Sequence, residues 1–405
     1  MDLKSYIPER VSTNAKMFLL ASALNGVGNG MINVVFQLYL ITLGFDSSAL
    51  GSMVMMNPLG AAILTIPAGL LADRYGKKSM MILGFLCILS ATAIILVART
   101  YPLFALGFFL IGLSNATFVV LTPLYSSFFD KDEMDQAFGL WGFINIFTMS
   151  LGSLVGFVPP LLVEGYGFSP FASYWSVIAV AALLMLVQTF FYLLSLREVE
   201  EPNGNNGFRL TITSKGVIAK YAVLSFISMV SGNVFFNLFP YYVNTKFGVK
   251  SDALGALFFM TNFVSAGANA VAPRISKRLG TLRAIAVMFG LATPFYLLIP
   301  LAPSFMWVSV LYVFRLSLRA TANPLVNSLY MKLLQEDEKS SATSVRMMAN
   351  QAGGIVAPWL GGQLMETSLN LPAYLGTGLL AVLGPLFYVL LRKDEATLTE
   401  PDEAL

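Results

Sequence analysis

The sequence predicts an all-α integral membrane protein of twelve transmembrane helices, arranged as two pseudo-symmetric six-helix bundles. Three observations carry this: an apolar excess too large for water, twelve apolar stretches of spanning length, and an ordered series of matches between the halves. Of 405 residues, 56% are hydrophobic and 12% charged, about half the charged share of an average soluble domain. Lipid is the solvent that suits such a chain. Crossing a bilayer core takes about 20 apolar residues in a helix, because every backbone N–H and C=O must be satisfied inside the span.

The stretches are 16–42, 47–73, 78–98, 101–128, 137–163, 170–196, 216–245, 251–275, 282–301, 304–330, 341–366 and 370–391. The first exceeds the apolar core of a cleavable signal peptide and ends without a small-residue cleavage site, so it is expected to remain as a span. With both termini cytoplasmic, only Arg99, Lys246 and Lys250 fall on outer loops, and Arg274, Arg315, Arg319 and Arg346 fall within spans. All other Lys and Arg lie on the inner side, as the positive-inside rule requires. The net charge of +3 is thus a topology signal. Its basic residues are scattered among loops and form no nucleic-acid surface. A lone Cys87 and no His exclude an intrachain disulfide and a His/Cys metal site, and nothing in the sequence calls for a cofactor.

The longest polar interruption, Arg197-Glu-Val-Glu-Glu-Pro-Asn-Gly-Asn-Asn-Gly207 and onward, reads as an exposed linker. The expected organisation is an N-terminal bundle at 1–196, a cytoplasmic linker at 197–214, a C-terminal bundle at 215–392 and a cytoplasmic tail at 393–405. A shift of 204 places Gly28, Asn29 and Asn33 on Gly232, Asn233 and Asn237, Ala49-Leu50-Gly51 on Ala253-Leu254-Gly255, and Gly76 on Gly280. Pro123-Leu124 matches Pro324-Leu325, and Asn145 matches Asn350, at nearly the same shift. So many matches in order indicate a parallel repeat.

Between spans 2 and 3 stands Gly69-Leu-Leu-Ala-Asp73-Arg74-Tyr75-Gly76-Lys77-Lys78. Gly69 allows close helix contact, Gly76 permits the turn of a short loop, and Asp73 can favour a neighbouring helix N-terminus. This segment resembles the signature Gly-x-Leu-Ala-Asp-Arg-x-Gly-Arg-Lys of the major facilitator superfamily, with Lys77 in place of Arg. Two parallel six-helix halves are also that family's arrangement, with the solute site between them near the midplane. The resemblance implies alternating access, with Gly69, Asp73, Arg74, Gly76, Lys77 and Lys78 as a cytoplasmic latch. The alternative is that the basic residues only set topology. The second copy is degenerate, with Lys277 where the first has Asp73, so the latch is expected to be one-sided.

Arg315 and Arg319 on span 10 and Arg346 on span 11 lie well inside the membrane, each at roughly 2.5–3.5 kcal/mol on the insertion scale. No Asp or Glu lies mid-span to offset them; Asp46, Asp73, Glu164, Asp252 and Glu366 stand at span ends and the rest in loops or termini. Arg315 and Arg319 share a face that Asn323 continues, and Arg346 and Asn350 are likewise four apart. One reading is a water-filled cavity with a positive wall, suited to an anionic or electron-rich solute that Arg holds bidentately. The other is that these arginines snorkel or bond helix-end carbonyls. Asn25, Asn29 and Asn33, with Gln37, make an amide ladder on span 1, and Asn233 and Asn237 repeat it on span 7. In the family the first helix of each three-helix unit lines the central cavity, which would make these amides solute ligands; interhelical hydrogen bonding is the alternative. Trp141 and Asn145 on span 5 complete the candidate substrate-binding set, with Asn115, Asn262 and Tyr241 as weaker members.

These features predict a secondary transporter of a small solute, set in the lipid bilayer of the cell membrane and acting as a monomer. Glu164, Glu366, Asp46 and Asp252 are the carboxylates left for ion coupling; otherwise facilitated diffusion or anion exchange remains. No Gly-x-x-x-x-Gly-Lys-[Ser/Thr] phosphate loop occurs, and no paired catalytic constellation lies within the spans, which argues against an enzyme. Gly353-Gly-Ile-Val-Ala357-Pro358-Trp-Leu-Gly361-Gly362 resembles the pattern of drug and proton antiporters, but on span 11, where that pattern belongs on span 5. Multidrug or lipophile efflux is therefore an alternative, and a non-transporting membrane sensor is an alternative of another class.

Overall fold

The structure, a computed structural model, describes residues 11–130, 133–195, 213–335 and 338–396. Most of the 197–214 linker and of the 393–405 tail lies outside those residues. The described residues are mostly helical and include no strand. The first half comprises α1 (Thr13–Thr42), α2 (Ser47–Val54), α3 (Met56–Tyr75), α4 (Lys77–Val97), α5 (Tyr101–Thr117), α6 (Leu121–Ser126), α7 (Met134–Ser153), α8 (Val158–Tyr166) and α9 (Pro170–Ser195). The second comprises α10 (Lys215–Asn233), α11 (Phe239–Phe247), α12 (Ser251–Leu279), α13 (Thr281–Leu298), α14 (Phe305–Lys332), α15 (Lys339–Thr367) and α16 (Leu371–Ala396).

Every expected span falls on one of these helices or on a run of two. Among the described residues, nine helical runs are long and apolar enough to cross a membrane. The other three expected spans fall on α5, which is apolar but short, and on α12 and α15, whose Arg274, Arg346 and amides dilute their apolar content.

The divided spans break where proline removes a donor. Pro123, Pro159, Pro160 and Pro240 follow short 3-10 turns at Phe118–Val120, Leu154–Phe157 and Phe236–Leu238. The carbonyl of Gly156 faces Pro159 and Pro160, neither of which has an N–H. Ser251 Oγ donates to it at 2.7 Å, meeting the demand that a membrane-buried acceptor be satisfied. Gly76 and Gly280 precede α4 and α13 with φ of +85° and +81°, a backbone region that glycine adopts without steric cost.

The chain forms two compact units: residues 1–45, 56–207 and 248–263 in one, and 46–55, 208–247 and 264–405 in the other. In the first unit, α1 packs on α7 and α9, and α5 on α3 and α4. Its core is aromatic: Phe18 stacks on Tyr125 at 4.6 Å, with Trp141 and Tyr192 edge-on at 5.2 and 5.1 Å. In the second unit, α10 packs on α15 and α16, and α13 on α14 and α16. Here α2 lies against α15, where Ser47 Oγ donates to the Gly362 carbonyl at 3.1 Å and any side chain on Gly51 would meet the Pro358 carbonyl.

Candidate functional site

The spacing of α14 sets the site. Arg315, Arg319, Asn323 and Asn327 follow one another every four residues, so they form a slowly turning polar stripe along one helix. The stripe divides in two. Arg319, Asn323 and Asn327 line a cavity of about 320 Å³ in the second unit, together with Arg346 and Asn350 from α15 and Ser225 and Ser228 from α10. Its apolar wall is Met229, Phe289, Val326 and Phe387.

Arg319 Nη2 donates to the Ser228 carbonyl at 3.1 Å, a bond to backbone that leaves the positive charge unpaired. The guanidinium sits against the backbone at Gly232, where a Cβ would overlap it. Arg346 Nη2 donates to Asn327 Oδ1, and its guanidinium lies 5.4 Å from the Tyr330 ring centre. Among the described residues no carboxylate lines this cavity, and the two ion pairs, Lys220–Asp394 and Lys250–Glu164, involve neither arginine.

Arg315 does not line the cavity. It is 1% exposed, with its guanidinium 3.8 Å from the Phe236 ring centre and 4.8 Å from that of Tyr296. Its Nε and Nη2 have no hydrogen-bond partner. Ring faces offer a cation some attraction without cancelling its charge. Arg315 therefore stands as a buried positive charge one turn from Arg319.

The other candidates are spread more widely. In the first unit, Asn29 and Asn33 are exposed on α1, and Asn29 Nδ2 donates to the carbonyl and side chain of Asn25. Asn115 donates to Asn57 at 3.3 Å, Trp141 Nε1 to Ser22 Oγ at 2.6 Å, and Asn145 is half-buried on α7. Asn233 donates to the Met229 carbonyl at 2.9 Å, and Asn237 is half-buried beside the break in span 7. Asp46 caps α2 by accepting from Ala49 N–H, and Asp252 accepts from Ala253 N–H, both at 2.8 Å. Glu164 pairs with Lys250 at 3.0 Å on the surface, and Glu366 is exposed. Of the latch candidates, Gly76 makes the turn and Lys78 is exposed; the side chains of Gly69, Asp73, Arg74 and Lys77 lie outside the described residues.

Asn327, Ser225 and Ser228 were not among the sequence-derived candidates. Asn327 was within reach, since it extends the four-residue stripe by one step. The serines were not, because nothing in their spacing says which neighbour α10 will face.

The sequence matches the description Major Facilitator Superfamily over residues 18–358 and again over 222–404. The chain belongs to the major facilitator superfamily. It is similar to Multidrug resistance protein 1 of Bacillus subtilis (strain 168), at 22% identity over 88% of this chain and 90% of the relative. It is also similar to the Nitrite extrusion protein of the same organism, at 30% identity over 125 residues, 30% of each chain. In fold it resembles a bacterial homolog of the human lysosomal transporter Spinster, solved inward-facing and occupied, with a TM-score of 0.73, 13% identity, and coverage of 94% of this chain and 97% of that one. This major facilitator protein is a multi-pass secondary transporter that binds a small-molecule substrate and works by alternating access.

Proposed function

We propose that this major facilitator protein carries a small anionic solute, held by Arg319 and Arg346. The observation that carries the reading is their convergence on one cavity with no acidic partner among the described residues. An unpaired cation in a membrane is costly, and a bound anion is the direct remedy. Each guanidinium offers a donor fork suited to a carboxylate or phosphoryl group, and Asn323, Asn327 and Asn350 add neutral donors. Asn29, Asn33, Asn233, Asn237, Trp141 and Asn145 are proposed to meet the solute during the cycle, and Arg315 to add to the positive potential behind Arg319.

Coupling follows from the same charges. Closing the empty cavity would bury two unpaired cations, whereas closing the loaded one buries paired charges. Anion exchange is thus the favoured mode, and Asp46 and Asp252 are already engaged at helix starts. The Asp73 loop is proposed as the cytoplasmic latch. The positive-inside pattern supports cytoplasmic termini; we infer a plasma-membrane protein that acts as a monomer and performs no covalent chemistry. Multidrug efflux is the second reading, favoured by the apolar wall of the cavity and the likeness to a multidrug resistance protein.

The test is uptake of a labelled organic anion into proteoliposomes that are empty or preloaded with the same anion. Preloading should raise the rate, and Arg319→Gln or Arg346→Gln should lower it at least about tenfold, the loss of one charged hydrogen bond. Unchanged uptake in both variants would refute the anionic reading, and no turnover of any solute would favour the sensor.

A further inference from the structure

Apart from Val326 on α14 and the two serines on α10, the two kinds of wall in this cavity come from different helices. Its charged and amide groups stand on α14 and α15, whereas Met229, Phe289 and Phe387 come from α10, α13 and α16. The rings of Phe289 and Phe387 pack at 5.7 Å, a firm apolar floor that carries no hydrogen-bonding group. Resting on the anionic reading above, we infer that the site takes amphiphilic organic monoanions, with a carboxylate-like head on Arg319 and Arg346 and an apolar body against Met229 and the two rings. Bare inorganic anions are the poorer ligands.

Size and solvation both point this way. With each water taking about 30 Å³, a cavity of about 320 Å³ has room for roughly ten water-sized groups. An inorganic oxyanion such as nitrate fills a small part of that. It must also give up hydration on every side while the apolar floor returns no hydrogen bond, and that uncompensated desolvation is costly. A benzoate-sized ion meets the donors with its head alone. Its ring displaces water from the floor, which is favourable in proportion to the area covered. Charge without apolar body, or apolar body without charge, uses half of the site.

The experiment measures binding of nitrate, benzoate and benzyl alcohol to the purified full-length protein, by ligand-induced thermal shift with calorimetry as a second readout. Benzoate should bind at least about tenfold more tightly than nitrate, the effect of a few buried carbon groups after ordering costs. Benzyl alcohol should not bind measurably. Met229→Gln with Val326→Asn should collapse the benzoate-to-nitrate ratio towards one, and Met229→Leu with Val326→Ile should preserve it, separating loss of the apolar wall from a folding defect. Nitrate binding as tightly as benzoate would overturn this inference and leave the anionic reading standing. Benzyl alcohol binding as tightly as benzoate, or no binding by either anion, would overturn both.

Discussion

The repeat-related glycines Gly28 and Gly232 provide a direct test of the arginine geometry. A Cβ on Gly232 would overlap Nη1, Cζ and Nη2 of Arg319, so Gly232→Ala must push the guanidinium back by roughly 1.5 Å to reach ordinary contact. That movement breaks its 3.1 Å bond to the Ser228 carbonyl and shifts the charge relative to Arg346. If the displaced guanidinium forfeits one hydrogen bond to the anion, worth about 1.5–3 kcal/mol, anion affinity should fall roughly tenfold to a hundredfold. On Gly28 the same Cβ would meet Met185 Cγ at 3.4 Å and the Ala181 carbonyl at 3.7 Å, ordinary contacts that a flexible methionine accommodates. Gly28→Ala should therefore leave anion binding intact and, by its better helix propensity, add up to about 1 kcal/mol of stability. The assay is the anion-dependent thermal shift of wild type and both variants, with circular dichroism to check helicity. A Gly232→Ala protein that responds to anions as strongly as Gly28→Ala would refute this placement of Arg319.

Two further outcomes rest on other parts of the structure. Burial tends to raise the Glu338 carboxyl, but hydrogen bonds from Ser214, Gln335 and Thr213 outweigh it and lower its pKa to about 2. A depressed carboxyl pKa stabilises fully above the ordinary value of 4.5, and the contribution is lost as pH falls from there through about 2; Glu338→Gln should flatten the stability profile in that window, as read by melting temperature. Gly51→Leu should lower the melting temperature by separating α2 from α15, since its side chain would strike the backbone carbonyl of Pro358. Overpacking of this kind costs about 1–3 kcal/mol, and a variant melting as high as wild type would contradict the helix contact.

What could be read from the sequence follows from the range of the interactions involved. Spans are local: an apolar run of sufficient length must satisfy its own backbone, so the expected stretches fall on helical runs, nine of which among the described residues are long and apolar enough to cross a membrane. Breaks are half local. Pro159 and Pro160 announce a freed carbonyl at Gly156, but its donor, Ser251, is 95 residues away. The division of the arginine stripe is not local. Arg315 and Arg319 look equivalent four residues apart, yet the interruption of span 7 near Asn233 brings Phe236 over Arg315, while Gly232 leaves room for Arg319 beside the cavity. No periodicity in α14 contains that information, because it resides in another helix.

The repeat also accounts, in chemical terms, for one of the two cavity arginines. Tyr125 donates to the Ala137 carbonyl at 2.9 Å in the first unit, and Tyr330 to the Ala342 carbonyl at 2.7 Å in the second, a correspondence at a shift of 205. Phe18 lies over Tyr125 as Tyr221 lies over Tyr330, with ring centres 4.6 and 4.3 Å apart. At the same shift, Trp141 in the first unit becomes Arg346 in the second. Trp141 packs 5.1 Å from Tyr125, and the Arg346 guanidinium lies 5.4 Å from Tyr330. The tyrosine that supports a tryptophan in one unit thus supports a cation in the other. An aromatic face can do both, by dispersion towards an indole and by its quadrupole towards a guanidinium. One exchange on a shared scaffold converts core into part of a charged wall, placing Arg346 in the second unit where the first keeps its aromatic core.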